Sequence, residues 1–188
     1  MNYMNKTSKN ISRREFLCGA LGIAAAASLP SNLYAGVAPL DLDKALSLHN
    51  LHTEEKIMLN YFERGEYVTE ALRDISYLLR DHRTNEVLAM DPSLIDLLYD
   101  LKGELGTSQP FQVISGYRSP KSNAALHKNS KGVATKSLHM QGKAIDIRIE
   151  GIHSRDIQAA AISLARGGVG YYPSSNFVHI DTGNVRTW

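Results

Sequence analysis

The chain has 188 residues, 43% of them hydrophobic, with 21 Lys+Arg against 19 Asp+Glu and a formal net charge of +2. That length suits one domain with a real core, and the near-balance of charge excludes nucleic-acid binding through a basic patch. Cys18 is the only cysteine, so no intrachain disulfide can form.

Residues 1–35 read as an export signal rather than as fold. Lys6, Lys9, Arg13 and Arg14 make a basic start, residues 18–29 are Ala-rich and mildly apolar, and Leu33-Tyr34-Ala35 reads as a cleavage site. The apolar run is too short and too mild to span a membrane, and Cys18 is not placed as a lipid-modified cysteine would be. No stable membrane anchor is therefore expected. The stretch S-R-R-E-F-L at 12–17 resembles the twin-arginine consensus S-R-R-x-F-L. It makes the twin-arginine translocase the expected partner during export. Without the leader's four basic residues and one acidic residue, the 21 and 19 charges become 17 and 18. Residues 36–44 read as a linker, and 45–188 as one domain.

Within that domain, 45–61 reads as a hairpin. Leu46 and Leu48, then Ile57, Leu59 and Tyr61, alternate with polar residues on either side of a turn at 53–55. His49 and His52 have no carboxylate at a telling spacing and read as solvated or packing residues. Residues 68–83 read as a helix capped by Thr69, with Leu72, Ile75, Leu78 and Leu79 as its apolar stripe. Arg80, Asp81, His82 and Arg83 predict a salt-bridged corner between helices, with a substrate contact as the alternative. Asp91 and Pro92 open a second helix, striped by Leu94, Leu97, Leu98 and Leu101 and ending before Gly106.

Residues 111–115 read as a strand that delivers Gly116, Tyr117 and Arg118 to a loop. A helix follows from Ser119-Pro120 to about His127, and the loop at 128–135 is the expected rim of a groove. Residues 143–149 alternate with period two: Ala144, Asp146 and Arg148 share one face, and Ile145, Ile147 and Ile149 share the other. A helix over 152–166 packs through Ile157, Ala161 and Leu164 and ends at Gly167-Gly168. A strand at 169–172 returns toward another at 177–181, on which His179 and Asp181 share a face. The expected class is α+β: a single domain with a central antiparallel sheet and helices packed against it.

Two clusters carry chemistry, S-L-H-M-Q-G-K-A-I-D at 137–146 and F-V-H-I-D-T-G at 177–183. His139, Asp146 and His179 supply two imidazoles and a carboxylate, which suit Zn²⁺ and leave a fourth position for water. Gly142 lets the chain fold back so that His139 reaches the ion that Asp146 faces. The plain alternative is a pair of hydrogen-bonded His–Asp contacts.

The first cluster resembles the Ser-x-His-x-x-Gly-x-Ala-x-Asp signature of the zinc D,D-peptidase family, met at Ser137, His139, Gly142, Ala144 and Asp146. S-G-Y-R-S at 115–119 is similar to the segment that carries the family's active-site arginine, here Arg118. G-G-V-G-Y-Y-P at 167–173, with the second cluster, is most similar to the murein endopeptidase K branch. The resemblance implies one Zn²⁺ per chain at a site on the sheet, held by His139, Asp146 and His179. It gives Arg118 the tetrahedral oxyanion or a substrate carboxylate to bind. The implied substrate is peptidoglycan, cut at its peptide crosslinks in the periplasm, with Tyr117, Ser137, Tyr171 and Tyr172 expected at the groove.

One position departs from the family. Where many members place a Glu three residues before the last His, this chain has Asn176. The general base then passes to Asp181, which shares a strand face with His179. Supporting the His179 imidazole is the other role open to Asp181. Two further functions stay in view: a carboxypeptidase that trims D-Ala from stem peptides, and a wall-binding module without activity.

Overall fold

A computed structural model describes residues 43–129 and 132–188. The expected export signal at 1–35, nearly all of the expected linker and two residues of the 128–135 loop lie outside the described residues.

The period-two stretches become strands. β1 (Lys44–Asn50) and β2 (Lys56–Glu63) form the expected hairpin, and β3 (Glu66–Tyr67) folds back on β2. After α1 (Thr69–Leu78) and α2 (Pro92–Glu104) come β4 (Phe111–Ser115), α3 (Pro120–Asn129) and β5 (Ala144–Ile149). α4 (Ser154–Ser163), β6 (Gly168–Tyr172), β7 (Phe177–Asp181) and β8 (Arg186–Thr187) complete the order. All eight strands make one sheet, ordered β3-β2-β1-β4-β5-β7-β6-β8. The class is α+β. The pairing is antiparallel except at β1/β4 and β6/β8, so the sheet is mixed rather than wholly antiparallel. The β1-to-β4 crossover carries two helices, which is the connection that parallel neighbours require.

One face of this sheet is core. Leu46, Leu48, Phe111, Val113, Ile145, Ile147, Ile149, Val178 and Ile180 pack with Ile75 and Leu78 of α1, four leucines of α2, and Ile157 and Ala161 of α4. Each Leu, Ile, Val or Phe side chain so removed from water contributes about 1.5–3 kcal/mol. Because successive strand residues point to opposite faces, Asp146 and His179 are turned away from that packing. The apolar alternation that builds the core thus also aims the site.

Four helix boundaries differ from the sequence reading, one of them the end of α4 at Ser163, short of residue 166. α1 stops at Leu78 instead of running to residue 83, because the next residues bond elsewhere. The Leu79 carbonyl accepts the Tyr117 N–H at 2.8 Å, and Asp81 accepts the N–H groups of Arg83 at 2.9 Å and Ser119 at 2.8 Å. Thr69 is not the cap: Val68 holds that position and makes no side-chain bond. α4 begins at Ser154, where the His153 ring accepts the Arg155 N–H at 3.2 Å. At α2 the expected cap is present, with Asp91 accepting the Ser93 N–H at 2.9 Å. The polar cluster at 80–83 is the expected salt-bridged corner between α1 and α2, and its bonds reach other elements. Arg80 pairs with Glu55 of the hairpin turn at 2.7 Å, and Asp81 holds the segment that leads to Arg118.

Candidate metal centre

β5 and β7 lie antiparallel with Asp146 directly opposite His179 and Ala144 opposite Asp181. Directly opposed residues on one sheet face have Cβ atoms about 4.5–5.5 Å apart, close enough for two short polar side chains to meet. His139 comes from the 3₁₀ turn Leu138–Gln141 just before β5. The Ser137 hydroxyl caps that turn by accepting the His139 N–H at 3.3 Å. Gly142 closes it in the left-handed region at φ 68°, and a Cβ there would stand 2.6 Å from the Ala89 carbonyl oxygen. Only glycine fits both conditions. The Gly142 carbonyl accepts the Asp91 N–H at 2.9 Å, which ties the turn to the start of α2.

The three expected ligand residues converge. His139 Nε2 is 3.1 Å from His179 Nδ1 and 3.3 Å from Asp146 Oδ1, and His179 Nδ1 is 2.8 Å from the same Oδ1. The outer nitrogen of each ring is already committed. His139 Nδ1 lies 2.7 Å from the Gly116 carbonyl oxygen and His179 Nε2 lies 3.0 Å from Asp181 Oδ2. Both contacts call for an N–H on the outer nitrogen, so each inner nitrogen, once unprotonated, offers its lone pair inward. Two nitrogen lone pairs and a carboxylate oxygen then face one point, an arrangement that a cation satisfies and a neutral hydrogen-bond network does not. His139, Asp146 and His179 therefore fit a metal such as Zn²⁺, whose N,N,O ligand sets with one open position are of this kind.

The electrostatics favour positive charge at this point, whether a proton on His179 or a cation in its place. Burial works against charge on the His179 ring, yet Asp146 and Asp181 raise its pKa to about 9. Burial also opposes charge on Asp146, but the two imidazoles hold its carboxyl well below the usual carboxylate range. The pocket thus stabilises positive charge at its centre.

Asp181 is 0% exposed. Its Oδ1 accepts the N–H groups of Gly168 at 3.1 Å and Gly183 at 2.8 Å, together with Arg186 Nη1 at 3.1 Å. Its Oδ2 accepts Arg186 Nη2 at 2.6 Å and His179 Nε2 at 3.0 Å. Arg118 enters from the other side. Its Nη2 is 3.7 Å from Asp146 Oδ2 and donates to the Ser115 hydroxyl at 3.3 Å, Nη1 donates to Asn123 Oδ1 at 3.4 Å, and the buried Nε has no hydrogen-bond partner among the described residues.

These residues open into a cleft of about 470 Å³. It collects Arg118, Ser137, His139, Asp146, Tyr172, His179 and Asp181 from the sequence reading. Tyr117 is not brought there; it packs in the core, and Tyr171 packs against the same core. Asn176 sits in the left-handed region at φ 51° and is not among the cleft residues. The 128–135 loop does contribute a wall, through Val133 and Ala134.

Sequence reasoning missed Arg186, Trp188, Phe177 and Lys136, all of which line the cleft. Trp188 lies 5.3 Å from the His179 ring and donates its indole N–H to the Tyr172 hydroxyl at 2.9 Å, while Tyr172 stacks on Phe177 at 4.5 Å. The available signal was the chain's only tryptophan, two residues after an arginine and close behind the D-T-G of the second cluster.

The family described as peptidoglycan L,D-endopeptidase MepK matches residues 41–188. The chain is 47% identical to the peptidoglycan L,D-endopeptidase MepK of Escherichia coli (strain K12) over 187 residues, 98% of this chain and 100% of the relative. The protein of that name from Shigella flexneri is similar to the same degree, 47% over 187 residues. The probable peptidoglycan L,D-endopeptidase MepK of Haemophilus influenzae is 39% identical over 189 residues, 100% of this chain and 98% of that protein.

Proposed function

Since the chain belongs to the peptidoglycan L,D-endopeptidase MepK family, within the zinc D,D-peptidases, we propose that it hydrolyses L,D peptide bonds in peptidoglycan crosslinks. The observation that carries this is the convergence of His139, Asp146 and His179 on one point with both outer ring nitrogens committed.

Zinc, when bound, would supply Lewis acidity and make hydroxide available as a nucleophile near neutral pH. His139, Asp146 and His179 would hold it. The Gly116 carbonyl and Asp181 fix the tautomers of the two rings. Arg118, kept in place by Ser115 and Asn123, presents a permanent positive charge at the cleft, where an oxyanion or a substrate carboxylate is stabilised. Of the two roles open to Asp181, orientation of His179 is the better supported, since its two oxygens are fully used. Ser137 positions His139 through the cap of its turn and stands with Tyr172 at the substrate cleft.

Such a substrate lies outside the cytoplasm. The S-R-R-E-F-L stretch at 12–17 supplies a twin-arginine route to the periplasm, with cleavage after Ala35 and a linker at 36–44 before the peptidase domain at 45–188. No helix of the described residues is long and apolar enough to cross a membrane.

Digestion of purified sacculi by the zinc-loaded protein, followed by mass analysis of the muropeptides, tests the function. Crosslinked dimers are expected to fall and monomers to rise by hydrolysis, and a chelator is expected to stop the change. Release of D-Ala from stem peptides with crosslinks intact would instead identify a carboxypeptidase, and no change of any kind would leave a wall-binding module.

A further inference from the structure

The last strand of the sheet is built around one ion pair. β8 pairs parallel with β6, placing Arg186 opposite Gly168 and Thr187 opposite Val169. Two more backbone bonds extend the pairing, Trp188 N–H to Val169 O at 3.2 Å and Tyr171 N–H to Trp188 O at 3.0 Å. This fixes the backbone that carries Arg186. Its guanidinium then lies 4.9 Å from the centre of the Trp188 ring, and Nη1 also donates to the Asn184 carbonyl at 2.9 Å. From that seat both terminal nitrogens reach Asp181, one to each oxygen, at 3.1 and 2.6 Å.

The surrounding backbone leaves room for this pair. A Cβ on Gly168 would stand 2.5 Å from both Arg186 Nη1 and Asp181 Oδ2. One on Gly183 would stand 3.0 Å from Asp181 Oδ1, and one on Gly170 would enter the Trp188 ring at 2.6 Å. Asp181 is buried, and a buried carboxylate left without a cationic partner is strongly destabilising. Arg186 is that partner, and its planar fork also fixes the plane of the carboxylate. The carboxylate plane in turn sets the direction of Oδ2, which receives the outer N–H of His179.

We infer that Arg186 is a positioning residue of the metal centre: it acts through Asp181 to hold His179 with Nδ1 turned toward His139 and Asp146. Trp188 seats the guanidinium from the side of the cleft. The inference rests on the metal centre of the proposed function, and its test reads metal affinity rather than turnover.

Zinc dissociation constants would be measured by chelator competition for the wild type, Arg186→Ala, Arg186→Lys, Asp181→Asn and the Asp181→Asn/Arg186→Ala double variant. Arg166→Ala, whose arginine pairs with Asp100 of α2, is the control. Loss of a partner that orients a ligand lowers metal affinity about 10- to 100-fold. Arg186→Ala is expected in that range, Arg186→Lys between it and the wild type, and Arg166→Ala at the wild-type value. Because Arg186 acts only through Asp181, the double variant is expected to bind no more weakly than Asp181→Asn alone. A purely structural contribution would add in full, and that result would overturn the inference, as would wild-type affinity in Arg186→Ala. If the alanine variant does not fold, Arg186→Lys carries the test, and wild-type affinity there overturns the inference as well. Absence of zinc binding by the wild type would be a different failure, overturning the metal centre itself.

Discussion

A carboxylate offers about four lone-pair positions, and Asp181 receives five donors, from Gly168, Gly183, His179 and twice from Arg186. Burial opposes its charge, but its bonds to His179 and Arg186 hold the carboxyl well below the usual range. Such a group is a poor proton acceptor and a good anchor. Asp181→Asn should therefore weaken zinc binding about 10- to 100-fold, with turnover largely recovering in excess zinc. Full zinc content with collapsed turnover would return Asp181 to the role of general base, whose removal costs a factor of about 10² to 10⁴. Arg118 predicts the opposite pattern. Its guanidinium stands 3.7 Å from Asp146 Oδ2, and its backbone N–H, which donates to the His139 carbonyl at 3.2 Å, is kept on substitution, so Arg118→Lys should retain zinc while kcat/KM falls by about 10²- to 10³-fold. Parallel loss of zinc and turnover would contradict the assignment.

Strand elements were legible because alternation has the same cause in sequence and in fold. Ile145, Ile147 and Ile149 must enter the core, which forces Asp146 to the other face, and Val178 and Ile180 do the same for His179. The pairing of Asp146 with His179 was not legible, since register is set by the partner strands and not by either strand alone. Nor was the place of Arg186, which depends on a parallel pairing of a two-residue strand. Tyr117 was expected at the groove, but its loop turns the ring into the core beside α1. Residues 80–83 looked helical because their apolar stripe ran on to Leu79, and the Asp81 side chain won the competition for the backbone.

That competition has a pH signature. Burial opposes charge on Asp81, while bonds from Ser119 and Arg83 outweigh it and depress its pKa. A folded-state pKa below the unfolded value of about 3.9 gives stability that is fully present above that pH. It is lost as pH falls through the folded value. Asp81→Asn should therefore destabilise the protein by about 1–3 kcal/mol at pH 7, and the difference should shrink below about pH 4. Urea unfolding of both proteins at pH 7 and pH 3 reads this directly. An equal gap at both values would contradict it.

At the scale of the whole molecule, a helix-covered sheet turns its second face into a cleft, and the chain's last residues close one side of it. Export completes the account. If residues 12–17 direct twin-arginine export, replacing Arg13-Arg14 by Lys-Lys should strand a folded precursor in the cytoplasm, detected by fractionation; normal periplasmic yield would point to a different export route.

We propose that His139, Asp146 and His179 hold one metal ion where β5 meets β7. Metal analysis of the purified protein and of its His139→Ala and His179→Ala variants decides this. One zinc per chain is expected in the wild type and markedly less in each variant; full zinc retained by either variant would contradict the claim.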